Sequence, residues 1–244
     1  MNPATFPERT SMPTPILFCW SGGKDSALAL DHLRRDPRYE VVALLTTVTE
    51  TYDRISMHGV RRTLLEQQAA ALSLPLEIVT IPPQCSNATY EARMGQTLQR
   101  YKDRGVRHAA FGDIFLEDLR VYREQNLARI GMQALFPLWK RPTAELAREF
   151  IALGYRAVTV CIDPRVLDAS FAGREFDPQF LADLPPAVDP CGENGEFHSF
   201  VFAGPDFTSP VAFQIGEVVQ REGFCFCDLL PASHSASHLH ANSM

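Results

Sequence analysis

A glycine-rich segment at residues 21–26 carries the residue types that bind phosphate. Its sequence, Ser-Gly-Gly-Lys-Asp-Ser, follows a short apolar run, 16–20, that is typical of a buried strand, and it precedes a predicted helix. The paired glycines permit a tight turn and a close approach of the backbone to a ligand. The helix N-terminus offers unpaired N–H groups, and the serines and the lysine add donors and a cation. The segment therefore predicts a phosphate site made of Ser21, Gly22, Gly23, Lys24, Asp25 and Ser26.

Asp25 is the unusual member of this segment, because a carboxylate repels phosphate. We interpret it as a helix cap or as a magnesium ligand. The segment is neither a Walker A loop nor a Rossmann dinucleotide fingerprint, since it lacks the glycine spacing of both. An ordinary strand-to-helix turn with a polar cap is the alternative interpretation, and the complete six-residue pattern argues against it.

Two other places carry charged residues at informative spacing. Gly112 and Asp113 follow the fourth apolar run, 108–111, so they belong at the same carboxyl edge of a parallel sheet as the first loop. Arg120 and Glu124 lie four residues apart on a predicted helix and can pair on one face. These residues are candidates for nucleotide or substrate contacts, although a surface ion pair would also explain the second pair.

Two carboxylates and a histidine could move protons. Glu193 and Glu196 flank an Asn-Gly turn, where they could hold an ammonium ion, position or deprotonate an amine, or bind magnesium; an exposed polar turn is the alternative. His58 could act as a base or contact phosphate, although a single histidine is more often structural. Cys225 and Cys227 share one face of a predicted strand, and we expect them to pack in the core.

The elements that would position these residues alternate along the first two thirds of the chain. Such alternation predicts βαβ units, and hence an α/β fold with a Rossmann-like parallel sheet and helices on both faces. Beyond residue 163, a proline-rich stretch and three more strands predict a smaller α+β part. Predicted strands cover 16–20, 41–46, 76–80, 108–111, 134–137, 156–162, 197–202, 211–219 and 223–229, and predicted helices cover 26–34, 60–72, 87–104, 117–131 and 142–153.

The same patterns divide the chain into two parts with a tail at each end. Residues 14–135 form the predicted nucleotide-binding domain, and residues 136–231 form the predicted smaller, substrate-binding domain. Residues 1–13 and 232–244 are polar, lack a hydrophobic period and are predicted to be disordered tails.

Composition excludes several classes of protein. Hydrophobic residues make up 45% and charged residues 21%, which is ordinary for a globular protein and excludes disordered and fibrous classes. The net charge of −6 argues against general nucleic-acid binding, since such proteins carry a basic face. The chain has no run of 18 apolar residues and no signal-peptide pattern, so we expect a cytoplasmic protein that contacts no membrane. Its six cysteines are expected to be free thiols.

The Ser-Gly-Gly-Lys-Asp-Ser segment resembles the PP-loop of the ATP pyrophosphatase (adenine nucleotide alpha hydrolase) superfamily, whose members cleave ATP between the α and β phosphates. Three further stretches narrow the resemblance. They are Ser-Met-His-Gly-Val-Arg at 56–61, Gly-Asp-Ile at 112–114 followed by Pro-Leu-Trp at 137–139, and Cys-Gly-Glu-Asn-Gly-Glu-Phe-His-Ser-Phe-Val at 191–201. Together they resemble the diphthine–ammonia ligase family, also called the diphthamide synthase domain, over about residues 16–207.

The resemblance implies an ATP-dependent amide ligase. Such an enzyme adenylates a substrate carboxylate, releases pyrophosphate and transfers ammonia, with ATP and Mg²⁺ bound. The implied acceptor is diphthine on elongation factor 2 if the protein is archaeal or eukaryotic, and a small-molecule carboxylate if it is not; a homodimer is compatible with either. The residues implied in catalysis are Lys24, His58, Arg120, Glu124, Glu193 and Glu196, with Gly112 and Asp113 joining the nucleotide site and Asp25 binding magnesium.

The chain departs from the family pattern in the helix that follows the fourth strand. The family usually has a small residue at the position of Asp113, a Ser and a Tyr at those of Leu116 and Asp118, and an Arg at that of Tyr122. This helix is expected to help recognise the acceptor, so the departures concern the identity of the substrate.

Two other functions remain compatible with the sequence. A tRNA-modifying PP-loop enzyme would use Arg61, Arg62 and Arg93 to line a local groove, but the acidic balance and the lack of a CxxC pair count against it. An ATP-binding regulatory module without turnover would share the architecture, yet it would not need the acidic loop at 192–196.

Overall fold

The computed structural model describes residues 12–55 and 58–232. The strands of this part are β1 (Thr14–Cys19), β2 (Tyr39–Thr49), β3 (Arg54–Ile55), β4 (Leu76–Ile81), β5 (His108–Ala110), β6 (Gln133–Leu135), β7 (Arg156–Ile162), β8 (Phe197–Ala203), β9 (Phe213–Arg221) and β10 (Phe224–Pro231). The helices are α1 (Lys24–Arg35), α2 (Arg62–Ala71), α3 (Asn87–Asp103), α4 (Glu117–Arg129), α5 (Thr143–Ala152) and α6 (Pro178–Asp183), and Ala169–Phe171 forms a 3-10 turn.

The first sheet is parallel except for one short strand. Its parallel order is β4-β2-β1-β5-β6, and Phe18 at the end of β1 lies opposite Leu44 of β2 and Ala110 of β5. The chain winds outward from β1 through β2 to β4, then crosses back and winds the other way through β5 and β6. The carboxyl ends of β1 and β5 therefore flank the point where the strand order reverses, which is where open α/β sheets bind ligands.

Helices cover both faces of this sheet, as the sequence predicted. Alternate residues of β1 point to opposite sides, so that Ile16 and Phe18 join one buried cluster and Leu17 joins another. Residues of α1, α2 and α5 fill the first cluster, whereas residues of α3 and α4 fill the second. The Rossmann-like α/β fold is thus confirmed.

The second sheet is antiparallel and smaller. Its order is β8-β7-β10-β9, so β7 belongs here although the alternating pattern of the sequence runs on to residue 162. An aromatic cluster of Phe171, Phe176, Phe180 and Phe197 packs beneath it, with ring centroids 5.2–6.1 Å apart. The cluster is continuous with the core on one face of the first sheet, so the two sheets share a hydrophobic core.

Several smaller predictions can be compared with the structure. All six cysteines are free thiols, and Cys225 and Cys227 are buried in the shared core. The predicted tails lie outside the described residues apart from positions 12, 13 and 232. Among the helices of the described part, none is long and apolar enough to cross a membrane.

Phe180→Ala is expected to destabilise the protein by about 3–5 kcal/mol, because the ring is fully buried and its removal leaves a cavity among three other rings. Val121→Ala is the control, since Val121 on α4 is 46% exposed and its truncation should change stability by less than about 0.5 kcal/mol. Urea unfolding at equilibrium measures both values. A loss below about 1 kcal/mol for Phe180→Ala would contradict the shared aromatic core.

Candidate active site

The loop between β1 and α1 is held in shape by its own serines. The hydroxyls of Ser21 and Ser26 lie 2.8 Å apart, and the N–H of Gly23 donates to the Ser21 hydroxyl over 3.3 Å. Gly22 has a φ of +81°, and a Cβ there would lie 2.9 Å from Oε1 of Gln68. The left-handed backbone and the close approach both require glycine, so the loop curls tightly around the N-terminus of α1.

Lys24 is a buried cation at the first position of α1. Its side chain is 3% exposed, and its ammonium donates to Asp25 Oδ2 over 2.8 Å and to the carbonyl oxygen of Cys191. The ammonium also lies 5.1 Å from the centre of the Phe197 ring. Burial disfavours the charge, but the carboxylate of Asp25 opposes it and leaves the pKa of Lys24 above its ordinary value. Lys24 is therefore a fixed positive charge at neutral pH.

Strand β8 of the second sheet runs directly against this loop. Ser199 Oγ accepts from the backbone N–H of Lys24 over 3.1 Å, and the N–H of Val201 donates to the carbonyl of Gly22 over 2.9 Å. The fully buried amide of Gln68 on α2 joins them, because its nitrogen donates to the carbonyls of both Gly22 and Val201. The second sheet thus forms one wall of the site that begins at the loop.

A cavity of about 370 Å³ opens at this place, between the carboxyl ends of β1, β2 and β5. Loop 191–193 and the first residues of β8 line one side of it, and α3 and α4 line another. Its polar lining residues are Ser21, Lys24, Asp25, Ser26, Thr46, Thr47, His58, Tyr90, Asp113, Arg123, Glu193, His198 and Ser199. The strand-end positions deduced from the sequence are therefore brought together with residues that follow 190.

Gly112 and Asp113 reach the cavity from the end of β5. A Cβ on Gly112 would lie 2.9 Å from the backbone nitrogen of Ser26, so only glycine lets the two loops touch. Asp113 forms an ion pair with Arg123 of α4, with Oδ2 and Nε 2.6 Å apart, and the guanidinium lies 4.3 Å from the centre of the Phe111 ring. Arg123 is thus a second cation of the cavity, and sequence reasoning missed it.

Arg120 and Glu124 pair with each other, 2.8 Å apart, but on a different face of α4. The Arg120 guanidinium lies 4.7 Å from the centre of the Trp139 ring, and both members of the pair are a third or more exposed. Neither residue is among those that line the cavity. Arg123 follows Leu119 by four residues and Leu116 by seven, and both leucines also line the cavity. Residues at this spacing lie on the same face of a helix, which explains why Arg123 reaches the lining.

Glu193 and Glu196 have different surroundings although they flank the same turn. Glu193 lines the cavity, and its Oε1 accepts from the backbone N–H of Ile114 over 2.7 Å. Burial raises its pKa to about 7; hydrogen bonds from the backbone oppose this shift, and the charges of Asp25 and Asp113 add to it. Glu196 lies outside the lining, where Oε1 accepts from the N–H of Asp189 and from the Asn194 amide, each over 3.0 Å. It holds the turn that presents Glu193.

His58 lies in the loop between β3 and α2, and its ring packs against that of His198 of β8 in the lining of the cavity. The two ring centroids are 4.5 Å apart, with an interplanar angle of 36°. Burial, together with Lys24, lowers the pKa of His198 to about 4, and burial beside His198 holds that of His58 well below its usual range. Both imidazoles are neutral at pH 7. Ser56 and Met57, which belong to the same motif as His58, lie outside the described residues.

The residues present fit one magnesium ion held jointly with a ligand. No group of three or more His, Cys, Asp and Glu side chains in the described ranges could hold a metal without further ligands. Magnesium at phosphate sites is usually held by one or two carboxylates together with phosphate oxygens. Asp25 lines the cavity next to the loop and is 27% exposed on its side chain, so it can serve as such a carboxylate.

The strand order and the loop after β1 together define a nucleotide-binding α/β protein of the PP-loop class. The diphthamide synthase N-terminal domain family matches residues 15–134, and the diphthamide synthase C-terminal domain family matches residues 142–229. The chain therefore belongs to the diphthamide synthase family.

Curated relatives carry a single name. The diphthine–ammonia ligase of Mus musculus is 25% identical in an alignment 243 positions long, which covers 90% of this chain and 90% of the relative. That of Schizosaccharomyces pombe is 24% identical in an alignment 235 positions long, which covers 88% of this chain and 38% of the relative. Among solved structures, the U34-tRNA thiolase NcsA of Methanococcus maripaludis, with its [4Fe-4S] cluster, aligns with 60% of this chain and 61% of its own at a TM-score of 0.35 and 15% identity.

Gly112→Ala is expected to weaken ATP binding by about tenfold or more, because its methyl group would press on backbone atoms of Asp25 and Ser26 that cannot rotate away. Gly95→Ala on α3 is the matched control, since nothing lies within 4 Å of the added carbon. Calorimetric titration with Mg-ATP measures both affinities. Equal affinities of Gly112→Ala and the wild type would show that the contact between the loops does not shape the nucleotide site.

Glu193→Gln is expected to change how stability depends on pH. The folded pKa of Glu193, about 7, lies above its ordinary value of 4.5, so the folded state keeps a proton that the unfolded state has lost. The stability that this proton supplies is complete below about pH 4.5 and disappears as the pH rises through 7, and it amounts to at most about 3 kcal/mol. Urea unfolding from pH 5 to 8 should show the difference between the wild type and Glu193→Gln changing in this direction; a constant difference would contradict the raised pKa.

Proposed function

We propose that the protein is an ATP-dependent carboxylate–ammonia ligase that releases AMP and pyrophosphate. The observation that carries the proposal is the meeting of two groups in a single cavity: the phosphate-binding loop with Lys24, and the carboxylate of Glu193 with a pKa of about 7. The names of the curated relatives support the same reaction class. ATP is the co-substrate, and Asp25 would hold a Mg²⁺ ion, which would neutralise phosphate charge.

The first step activates the acceptor. The loop amides and the Lys24 ammonium bind the phosphates, and the acceptor carboxylate attacks the α phosphorus. A carboxyl oxygen–phosphorus bond forms, the bond from the α phosphorus to the bridging oxygen breaks, and pyrophosphate leaves. Activation is needed because hydroxide is a poor leaving group from a carboxylate, whereas AMP is a good one. A fixed cation such as Lys24 requires no reorganisation as negative charge develops on the departing phosphates.

The second step forms the amide. Ammonia attacks the acyl carbon, the new C–N bond replaces the bond to AMP, and one proton must leave the nitrogen. Glu193 is suited to accept that proton, since a carboxylate with a pKa near 7 is a stronger base than an ordinary one and is still largely ionised at slightly alkaline pH. In this proposal Glu196 acts indirectly, because it holds the turn that carries Glu193.

The acceptor is the part of the reaction in which this chain departs from the family pattern. Asp113 and Leu116 stand where the family has a small residue and a Ser, and both line the cavity next to Arg123. We assign Arg123 to acceptor recognition and Arg120, with Glu124, to holding α4 against Trp139. The relatives act on diphthine by name, so diphthine on elongation factor 2 and small-molecule carboxylates are both acceptors to be tested.

Product analysis with ATP labelled at the α or the γ phosphate, together with Mg²⁺ and ammonium, tests the reaction. We expect AMP and pyrophosphate with the correct acceptor. Glu193→Gln should keep acceptor-dependent exchange of pyrophosphate into ATP while amide formation falls by about 10²–10⁴-fold, because the residue acts only on the amine. Glu117→Gln is the matched control, since Glu117 pairs with Lys140 on the surface and should leave both rates unchanged.

Two outcomes would contradict the proposal. ADP and phosphate as products would exclude adenylation. Equal losses of exchange and of amide formation in Glu193→Gln would place the carboxylate in nucleotide binding and remove the base from the mechanism.

A further inference from the structure

His58 and His198 form a pair that the mechanism above does not use. They come from separate parts of the chain, the loop after β3 and the start of β8, and both line the cavity beside Gly23 and Lys24. Their ring centroids are 4.5 Å apart, and Nδ1 of His58 is buried without a hydrogen-bond partner among the described residues. Buried polar atoms normally have a partner, and a ligand in the cavity that both rings line can supply one.

Burial is the largest cause of the neutrality of the pair, and the charged groups around it add to or oppose this effect. Lys24 of α1 faces both rings and disfavours a further positive charge, whereas Glu196, before β8, favours one on His198. On the far side of the His58 loop, Arg54 donates to the carbonyl of Gly59 and is itself paired with Asp228, as is Arg61. Burial and the charge of Lys24 lower the pKa values in the same direction, so neither ring is protonated at pH 7.

A polyphosphate would reverse this balance. It brings several negative charges into the cavity that the two rings line, and an opposite charge within about 4–6 Å shifts a pKa by about one to three pH units towards the charged form. Two imidazolium ions at 4.5 Å would repel each other, so the pair can hold one proton and not two. The proton would come from solvent and would lie on a ring nitrogen that faces the phosphates.

We propose that His58 and His198 are a proton-linked polyphosphate site: the pair takes up one proton when pyrophosphate or the triphosphate of ATP binds beside Lys24. The inference rests on the proposed function for its ligand. It gives the cavity a cation that exists only while the phosphates are bound. Release of pyrophosphate is coupled to return of the proton to solvent, and the rings are neutral again once the product has left.

Calorimetric titration with pyrophosphate at pH 5.5, between the pKa of about 4 of free His198 and the raised value expected in the complex, counts the protons taken up on binding when it is done in two buffers with different ionisation enthalpies. The wild type is expected to take up about one proton more than the double variant His58→Gln/His198→Gln, a difference in which protons bound by the ligand itself cancel. His32→Gln is the control, because His32 pairs with Glu149 away from the cavity and should behave as the wild type. Affinity of the wild type should also fall by about tenfold more per pH unit than that of the double variant.

Three results would overturn the inference. The double variant taking up as many protons as the wild type would exclude the pair, and so would tight binding by the wild type without proton uptake. In both cases the proposed function would stand. Failure of pyrophosphate and Mg-ATP to bind at all would overturn the proposed function together with this inference.

Histidine NMR of the wild type tests the inference even if the double variant does not fold. Pyrophosphate at pH 5.5 should move the ring signals of His58 or His198 towards imidazolium positions, with assignment from the single variants. Signals that stay at neutral positions in the bound protein would contradict the proposal.

Discussion

The buried side-chain amide of Gln68 is the contact on which the arrangement of the site depends. Its oxygen accepts from the Trp20 indole over 3.0 Å, and its nitrogen donates to the carbonyls of Gly22 and Val201 over 2.9 Å and 2.6 Å. One side chain thus connects the end of β1, the loop between β1 and α1, and β8. A buried amide that lost these partners would cost about 1–3 kcal/mol for each unpaired group, so the three elements are held at one separation. Because β8 is fixed to this loop, residues 191–193, which precede β8, are held at the cavity and line it.

The electrostatics of the cavity follow from this enclosure. Burial acts in opposite directions on acids and bases: it raises the pKa of Glu193 to about 7 and lowers that of His198 to about 4. Lys24 escapes the same effect because Asp25 and the carbonyl of Cys191 face its ammonium. The cavity therefore contains two permanent cations, Lys24 and Arg123, together with the carboxylate of Glu193, whose pKa is about 7, and two neutral imidazoles. Environments that separate pKa values in this way are typical of sites that combine charge stabilisation with proton transfer.

Features that depend on neighbouring residues in the chain could be predicted from the sequence, whereas features that depend on tertiary contacts could not. The loop at 21–26 and strand β7 are set by local patterns, and the predicted span 156–162 agrees with the structure. Strand β3, with two residues, is too short for any period to reveal it. The sequence pattern pointed to Arg120, whereas Arg123 is the arginine of α4 that lines the cavity. The pattern could not distinguish them, because α4 has charged residues on most of its surface and a single buried residue. Which face of such a helix meets the cavity is decided by tertiary packing, not by its own pattern.

The two sides of the cavity are held in place by different kinds of contact. The loop and β8 are joined by backbone groups and by Gln68, so this wall depends on main-chain geometry and on glycines that cannot be replaced at Gly22 or Gly112. On the other side of the cavity, α4 contributes Leu119 and Arg123 to the lining. Asp113 follows β5 and pairs with Arg123, and Leu116 directly precedes α4, so substitutions at either position change the lining beside Arg123.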